Sequence, residues 1–225
     1  NLIDRTARFV RRVFLWGFAG ALGFVLLATL LYAVINPPTT PYIFSEARRL
    51  GSVEREWVPM DQIAPVMARS AVAAEDANFC LHWGLDVNAI RDAVDRGRGG
   101  ASTISQQTVK NLYLWHGRNY TRKALEALMT PALEALWPKK RIIEVYLNIA
   151  EFDTGVFGVK AAARHYFGVA PADLSATQAA RLAAILPNPK ARSAKNPSNF
   201  VTRRARSIMD GAETIRRDGR ADCFE

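Results

Sequence analysis

What the chain lacks narrows it first. Its 225 residues hold only two cysteines, Cys80 and Cys223, and three widely spaced histidines, His82, His116 and His165. There is no CxxC pair and no His/Cys cluster, so neither a zinc centre nor the disulfide framework of a small secreted fold is indicated. A Cys80–Cys223 bridge is open to an oxidising compartment, but two unpaired thiols are the expectation. Strand-like alternation is scarce, no internal repeat or low-complexity linker divides residues 45 to 225, and no Gly-Lys-Ser/Thr closes a glycine loop, which excludes a P-loop. An excess of acid is missing too: 30 Lys and Arg stand against 21 Asp and Glu, a net charge of +9. That balance suits nucleic acid, anionic lipid or a phosphorylated substrate.

What is present begins with an apolar run of 23 residues, Val13 to Ile35, that carries no charge. As a helix it would be about 34 Å long, enough for a bilayer core of about 30 Å. Arg5, Arg8, Arg11 and Arg12 precede it, and no small-residue cleavage site follows its apolar core. This is the pattern of a retained signal anchor, with the N-terminus in the cytoplasm and everything after Asn36 outside. The expected organisation is a basic tail (1–12), a membrane span (13–36) and one domain (37–225). With the basic domain on the non-cytoplasmic side, nucleic acid drops out as a partner, and a phosphorylated substrate at a membrane is favoured.

Three prolines in PPTTP (Pro37 to Pro41) read as a stiff, non-helical exit, and Tyr42 to Pro59 as a short extended piece. Beyond it the periodicity is helical. Val66, Met67, Ser70, Ala73, Ala74 and Ala77 share helical spacing, and Leu125, Leu128, Met129, Ala132 and Leu136 mark the inner face of a helix over 120–137. Ile142, Ile143, Tyr146 and Leu147 face inward on another over 139–148. Ser175 and Gln178 form a capping box before ATQAARLAAIL, Pro187 stops that helix, and 201–216 make a basic one. The fold class is therefore mainly α.

The chemistry concentrates between Glu75 and Glu126, two carboxylates bracketing amides, hydroxyls and cations with few acids between them. Glu75 follows small and apolar residues near a helix end, where partial burial would raise its pKa and suit it to general-base work; a surface glutamate beside Asp76 is the plainer alternative. Ser102, Thr103, Gln106 and Gln107, after Gly99-Gly100, offer donors and acceptors for a sugar or phosphate, or form an ordinary polar turn. Arg118, Arg122 and Glu126 recur every four residues with Lys123 adjacent and Lys110 upstream. On a helix they make either a cationic wall for a pyrophosphate or an unremarked surface ion pair.

Five segments in order, EDANFCLHWG, GGASTISQQTVKN, RNYTRKALE, RIIEVYLNIAEF–TGVFG and RLAAILPNP, resemble the five motifs of the peptidoglycan glycosyltransferases, membrane-anchored polymerases with a lysozyme-like fold. The resemblance covers about residues 40 to 205. The PPTTP exit, the fourth motif and the length resemble the monofunctional branch, and no Ser-x-x-Lys of a transpeptidase occurs. The resemblance implies that Glu75 is the general base on the acceptor 4-hydroxyl and that Glu126 is the second essential acid. It implies that Lys110, Arg118, Lys123 and, beside them, Arg122 neutralise the leaving pyrophosphate, and that Ser102, Thr103, Gln107 and Asn111 line the donor site. Lipid II and the growing lipid-linked glycan are the implied substrates, the inner membrane the location with the domain on its periplasmic side, and cell-wall synthesis proteins the candidate partners. No cofactor is required, while a divalent cation, Mg2+ or Mn2+, is admitted at Glu126 or Asp153 with help from substrate oxygens.

One departure stands out: Asp153 and Thr154 follow Phe152, where the monofunctional pattern has glycine and then an acid. An apolar face near Trp57, Met60 and Ile63, or around Phe152 to Phe157, is expected to dip into lipid headgroups, and Cys80 to react with thiol reagents. A lysozyme-like hydrolase is the rival reading, but it would leave the cations without a task. A non-catalytic wall-synthesis scaffold would not need two intact carboxylates.

Overall fold

A computed structural model describes residues 2–97, 102–117 and 119–225, with the side chains of residues 2–4 left out. The Gly99-Gly100 segment and Arg118 lie outside the described residues. Two compact units result, residues 1–37 and 38–225.

The first unit is one helix, α1 (Leu2–Tyr32), which takes in the arginines of the basic tail as well as the apolar run. Its apolar part stops at Tyr32 rather than continuing to Ile35. From Arg5 to Tyr32 it is long and apolar enough to cross a membrane.

The second unit opens with α2 (Pro41–Leu50), where an extended piece was expected. Thr40 caps it by accepting from Ile43 N at 3.2 Å, and Pro41 sits at the first helical position, where its missing N–H is harmless. The extended reading survives only in the two-residue strand β1 (Glu54–Arg55). Helices α3 (Pro65–Glu75), α9 (Ala176–Ile185) and α10 (Asn199–Arg217) pack on one another. A second set, α5 (Ile104–Tyr113), α6 (Tyr120–Leu136) and α7 (Lys139–Ile149), packs around α5. Between the sets in sequence lie the short helix α4 (Val87–Asp95) and, after α7, strands β2 (Glu151–Asp153) and β3 (Val156–Phe157) followed by α8 (Val159–Phe167). The three strands form a small sheet in the order β1-β3-β2, β1 parallel and β2 antiparallel to β3.

The expected helices over 139–148 and 201–216 are present, with Ile142, Ile143, Tyr146 and Leu147 buried. The Ser175/Gln178 capping box closes in both directions. The inner face expected for α6 is wrong. Leu128 is 74% exposed, and the buried residues are Glu126, Thr130 and Leu133. Periodicity ranks faces by hydrophobicity, but this helix turns a polar face inward because Glu126 and Thr130 meet partners there. One is Gly84, at φ 80, where a Cβ would come within 2.4 Å of the Thr130 Cγ2. The headgroup face expected from sequence is also overturned: Met60, Ile63, Phe152 and Phe157 are all buried in the core. So are the unpaired thiols, because Cys80 and Cys223 form a disulfide. This leaves no free thiol at Cys80 for a reagent to reach. The pairing spans 143 residues, a separation over which sequence gives no geometric hint.

Candidate active site

Glu75 is the last residue of α3, and its side chain is 11% exposed. The helix stops there because Asp76 leaves helical geometry and turns its carboxylate to other work. Asp76 Oδ2 accepts from Ile104 N, the first residue of α5, at 2.9 Å. Its Oδ1 accepts from His82 Nε2 at 2.8 Å, and His82 Nδ1 in turn accepts from Gly84 N, so His82 is structural. An anion at a helix N-terminus is favourable, and here it fastens the end of α3 to the start of α5. That fastening sets the distance between Glu75 and the polar face of α5.

On that face Gln107 Nε2 donates to Glu75 Oε2 at 2.8 Å, and the Tyr146 hydroxyl of α7 donates to Gln107 Oε1 at 3.4 Å, fixing the way round of the amide. Glu75 Oε1 is buried without a hydrogen-bond partner. Its nearest cation is Arg204 of α10, with Nη2 3.9 Å away. Burial raises the Glu75 pKa above its ordinary 4.5, while Gln107, Arg204, Lys110 and Arg192 pull it down. The carboxylate faces a cavity of about 300 Å3 lined by Ala74, Ser102, Gln107, Pro187, Arg192 and Arg204.

A second cavity, of about 290 Å3, shares Gln107 and Pro187 with the first and continues past Lys110, Asn111, His116, Tyr42, Glu151 and Lys190. The Lys110 side chain makes neither a salt bridge nor a hydrogen bond among the described residues. Burial and then the nearby Arg122 lower its pKa, and Glu75 opposes them. Asn111 Oδ1 accepts from His116, whose ring stacks on Tyr42 with centroids 3.5 Å apart. Beyond Ser102 stands the second acid. Glu126 is 3% exposed, ion-paired to Arg122, and accepts from Lys123 Nζ at 3.0 Å; the same ammonium donates to the Ser102 hydroxyl at 2.9 Å.

Glu75, Ser102, Gln107, Lys110, Asn111, Arg122, Lys123 and Glu126 are thus brought into one connected region. Thr103 stands apart. Its hydroxyl accepts from Gln106 N as the N-cap of α5 and donates to Gly84 O at 2.6 Å, so it lies in a helix start rather than in the polar loop expected. Arg118, expected in the same stripe as Arg122 and Glu126, lies outside the described residues. Sequence reasoning missed Tyr42, Glu151, Lys190, Arg192 and Arg204. Lys190 and Arg192 directly follow the RLAAILPNP motif, and Glu151 lies inside the AEF motif, so those two motifs held a signal; Arg204, in a plainly basic helix, held none.

Residues 44–213 match the family model described as Transglycosylase. The chain is 62% identical over 219 residues to a biosynthetic peptidoglycan transglycosylase of Jannaschia sp. (strain CCS1), covering 97% of this chain and 92% of that one. It is 45% identical to the protein of that name from Caulobacter vibrioides, covering 96% and 98%, and 47% identical to that from Pseudomonas fluorescens, covering 86% and 85%. The chain belongs to the transglycosylase family. It is a glycosyltransferase with the lysozyme-like, mainly α fold of that family.

Within this transglycosylase the donor set does not fit a resident metal ion. Glu126 turns its oxygens to Arg122 and Lys123, and Asp153 accepts from the Tyr166 hydroxyl at 2.9 Å and from His165 at 3.3 Å, so the two acids share no neighbour. No group of three His, Cys, Asp or Glu is placed to hold a metal among the described residues. Asp153 lines neither cavity, and the turn after it is carried by Gly155 at φ 75.

Proposed function

We propose that this transglycosylase polymerises lipid II into β-1,4-linked glycan strands and releases undecaprenyl pyrophosphate. The observation that carries this reading is the Glu75 carboxylate, largely buried, lining a cavity with one oxygen held by Gln107, with Lys110 close enough to act on it. The acceptor 4-hydroxyl loses its proton to the Glu75 carboxylate as its oxygen attacks C1 of the donor sugar, and the C1–O bond to pyrophosphate breaks with inversion. The leaving group carries its negative charge away without being protonated, provided fixed positive charge is already in place. Lys110 and Lys123 supply it, with Arg122 and Arg118. Glu126 holds Arg122 and Lys123 in position, and Ser102, Gln107 and Asn111 orient the donor; Thr103 contributes by capping α5. A hydrolase would have no use for this clamp.

The same reading places the domain outside the cytoplasm. Arg5, Arg8, Arg11 and Arg12 flank one end of the apolar helix, which favours an N-in orientation. The Cys80–Cys223 disulfide supports it independently, since such bonds persist in oxidising compartments such as the periplasm. The substrate's lipid tail requires the site to work at the bilayer. In place of the buried residues first expected there, Leu81, Trp83, Val87 and Val94 are more than half exposed on the turn before α4 and on α4 itself, a helix with no buried residue. We assign the headgroup contact to them. Replacing all four by serine should lower liposome binding by the domain without its apolar helix (residues 38–225), and unchanged binding by that domain would remove this assignment.

The activity is tested by incubating the full chain in detergent with lipid II and resolving products by size. Long lysozyme-sensitive polymer is expected from the wild type. Glu75→Gln should lose about 10²- to 10⁴-fold in rate, the usual worth of a general base. Polymer formed at the wild-type rate by Glu75→Gln would remove Glu75 from the role.

A further inference from the structure

The base has a partner that no catalytic motif contains. Arg204 lies one turn into α10, a helix that packs against α3, and its Nη2 donates to Ala74 O at 3.2 Å. The guanidinium is therefore hung on the residue next to Glu75, and its Nη2 stands 3.9 Å from Glu75 Oε1. Both ends of this gap are unusual. Glu75 Oε1 and Arg204 Nε are each buried and without a hydrogen-bond partner, and buried polar atoms in that state call for an explanation. At 3.9 Å the charges attract, yet no hydrogen bond forms that would occupy the lone pair. The opposite oxygen, Oε2, is already committed to Gln107.

We propose that Arg204 is the positioning residue of the base, holding the Glu75 carboxylate ionised beside the cavity without engaging it in a hydrogen bond. This rests on the reading of Glu75 as general base. Other charged or titratable groups face the same carboxylate. They are Lys110 from α5, Arg192 from the segment after α9 and Tyr146 from α7, whose hydroxyl is raised well above its usual range by burial and by Glu75. Asp76, next in sequence, is engaged by His82 and Ile104 N. Of the cations among the described residues, Arg204 alone lies within 4 Å of Glu75. It opposes the burial that raises the Glu75 pKa, so its charge keeps the base ionised at lower pH.

The experiment is the pH dependence of lipid II polymerisation by the full chain, for wild type, Arg204→Gln, Arg204→Lys and Glu75→Gln. In the wild type the rate should fall as pH drops through the Glu75 pKa. Arg204→Gln should move that acid limb upward by about one pH unit, the size expected for loss of a nearby opposite charge. It should lose rate about tenfold below the limb and recover much of it above, with KM little changed, while Arg204→Lys should return the limb most of the way. A loss of rate equal at every pH, or a higher KM with an unmoved limb, would overturn the proposal in favour of a packing or substrate-binding role. Should Arg204→Gln not fold, Arg204→Met takes its place, with a direct carbon-13 titration of the Glu75 carboxyl in wild type and Arg204→Met; a titration shifted upward supports the proposal, and one identical to wild type overturns it. If Glu75→Gln polymerises normally, the general-base reading itself fails, and that outcome is separate from any movement of the limb.

Discussion

At the scale of single residues, the site is a set of charges whose environments were arranged by burial. His116 shows the consequence for stability. Its pKa is lowered from 6.5 to about 4, first by burial and then by Lys110, Arg122 and Lys190. Between those values the unfolded chain binds a proton that the folded one refuses. The folded state therefore loses stability as pH falls from about 6.5 to about 4, with no further loss from this group below that. His116→Gln should make the thermal unfolding midpoint less steeply dependent on pH in that window, as read by scanning calorimetry; an unchanged slope would show that the histidine is not so perturbed. Glu75, the proposed base, was legible as a residue type in a small, apolar context. Its geometry was not, because Gln107 and Arg204 reach it from helices 32 and 129 positions further along the chain.

At the scale of elements, the start of α5 illustrates how one motif carries two kinds of residue. Thr103 and Gln106 form a reciprocal capping box, while Gln107, Lys110 and Asn111 on the same helix face the cavities. A polar run that read as one binding loop therefore divides into a helix start and a helix face. Thr103→Ala should destabilise the domain by about 1–2 kcal/mol, the worth of an N-cap, and leave KM for lipid II close to wild type. A raised KM with an unchanged melting temperature would return Thr103 to the donor site. The capping boxes at Thr103 and Ser175 follow local rules that act within four residues, and the Ser175 box was readable for that reason. The inward face of α6 was not, since it depends on what Glu126 and Thr130 meet across the cleft.

At the scale of the whole molecule, the C-terminal segment is fastened to α3 and to the turn that follows it. Besides the Cys80–Cys223 bond, the Cys80 Sγ lies 3.0 Å from Arg220 O, Phe224 is fully buried with its ring near Phe79, and Arg69 pairs with Glu225. A cross-link closing a loop of 143 residues restricts the unfolded chain by about 5 kcal/mol in the loop-entropy account. Reduction, or the double change Cys80→Ser with Cys223→Ser, should lower the thermal midpoint by several degrees, measured on the full chain with and without dithiothreitol. The same midpoint under both conditions would mean that the packing of Phe79 and Phe224 secures the segment alone.

The amino-acid sequence by itself determined the features that depend on neighbours along the chain. These are the apolar helix at the N-terminus, the main helical periods of the second unit, the Ser175 cap, and the ordered motifs that place the chain in its family. Tertiary structure decided what depends on distant segments meeting. It put Met60, Ile63 and Phe152 into the core instead of at a surface, joined two cysteines, and tied Asp76 to α5. It also brought Arg204 beside Glu75. A local pattern states which face of a helix is apolar, but the partner that face meets is fixed only when the chain closes on itself, and this site is made from those meetings.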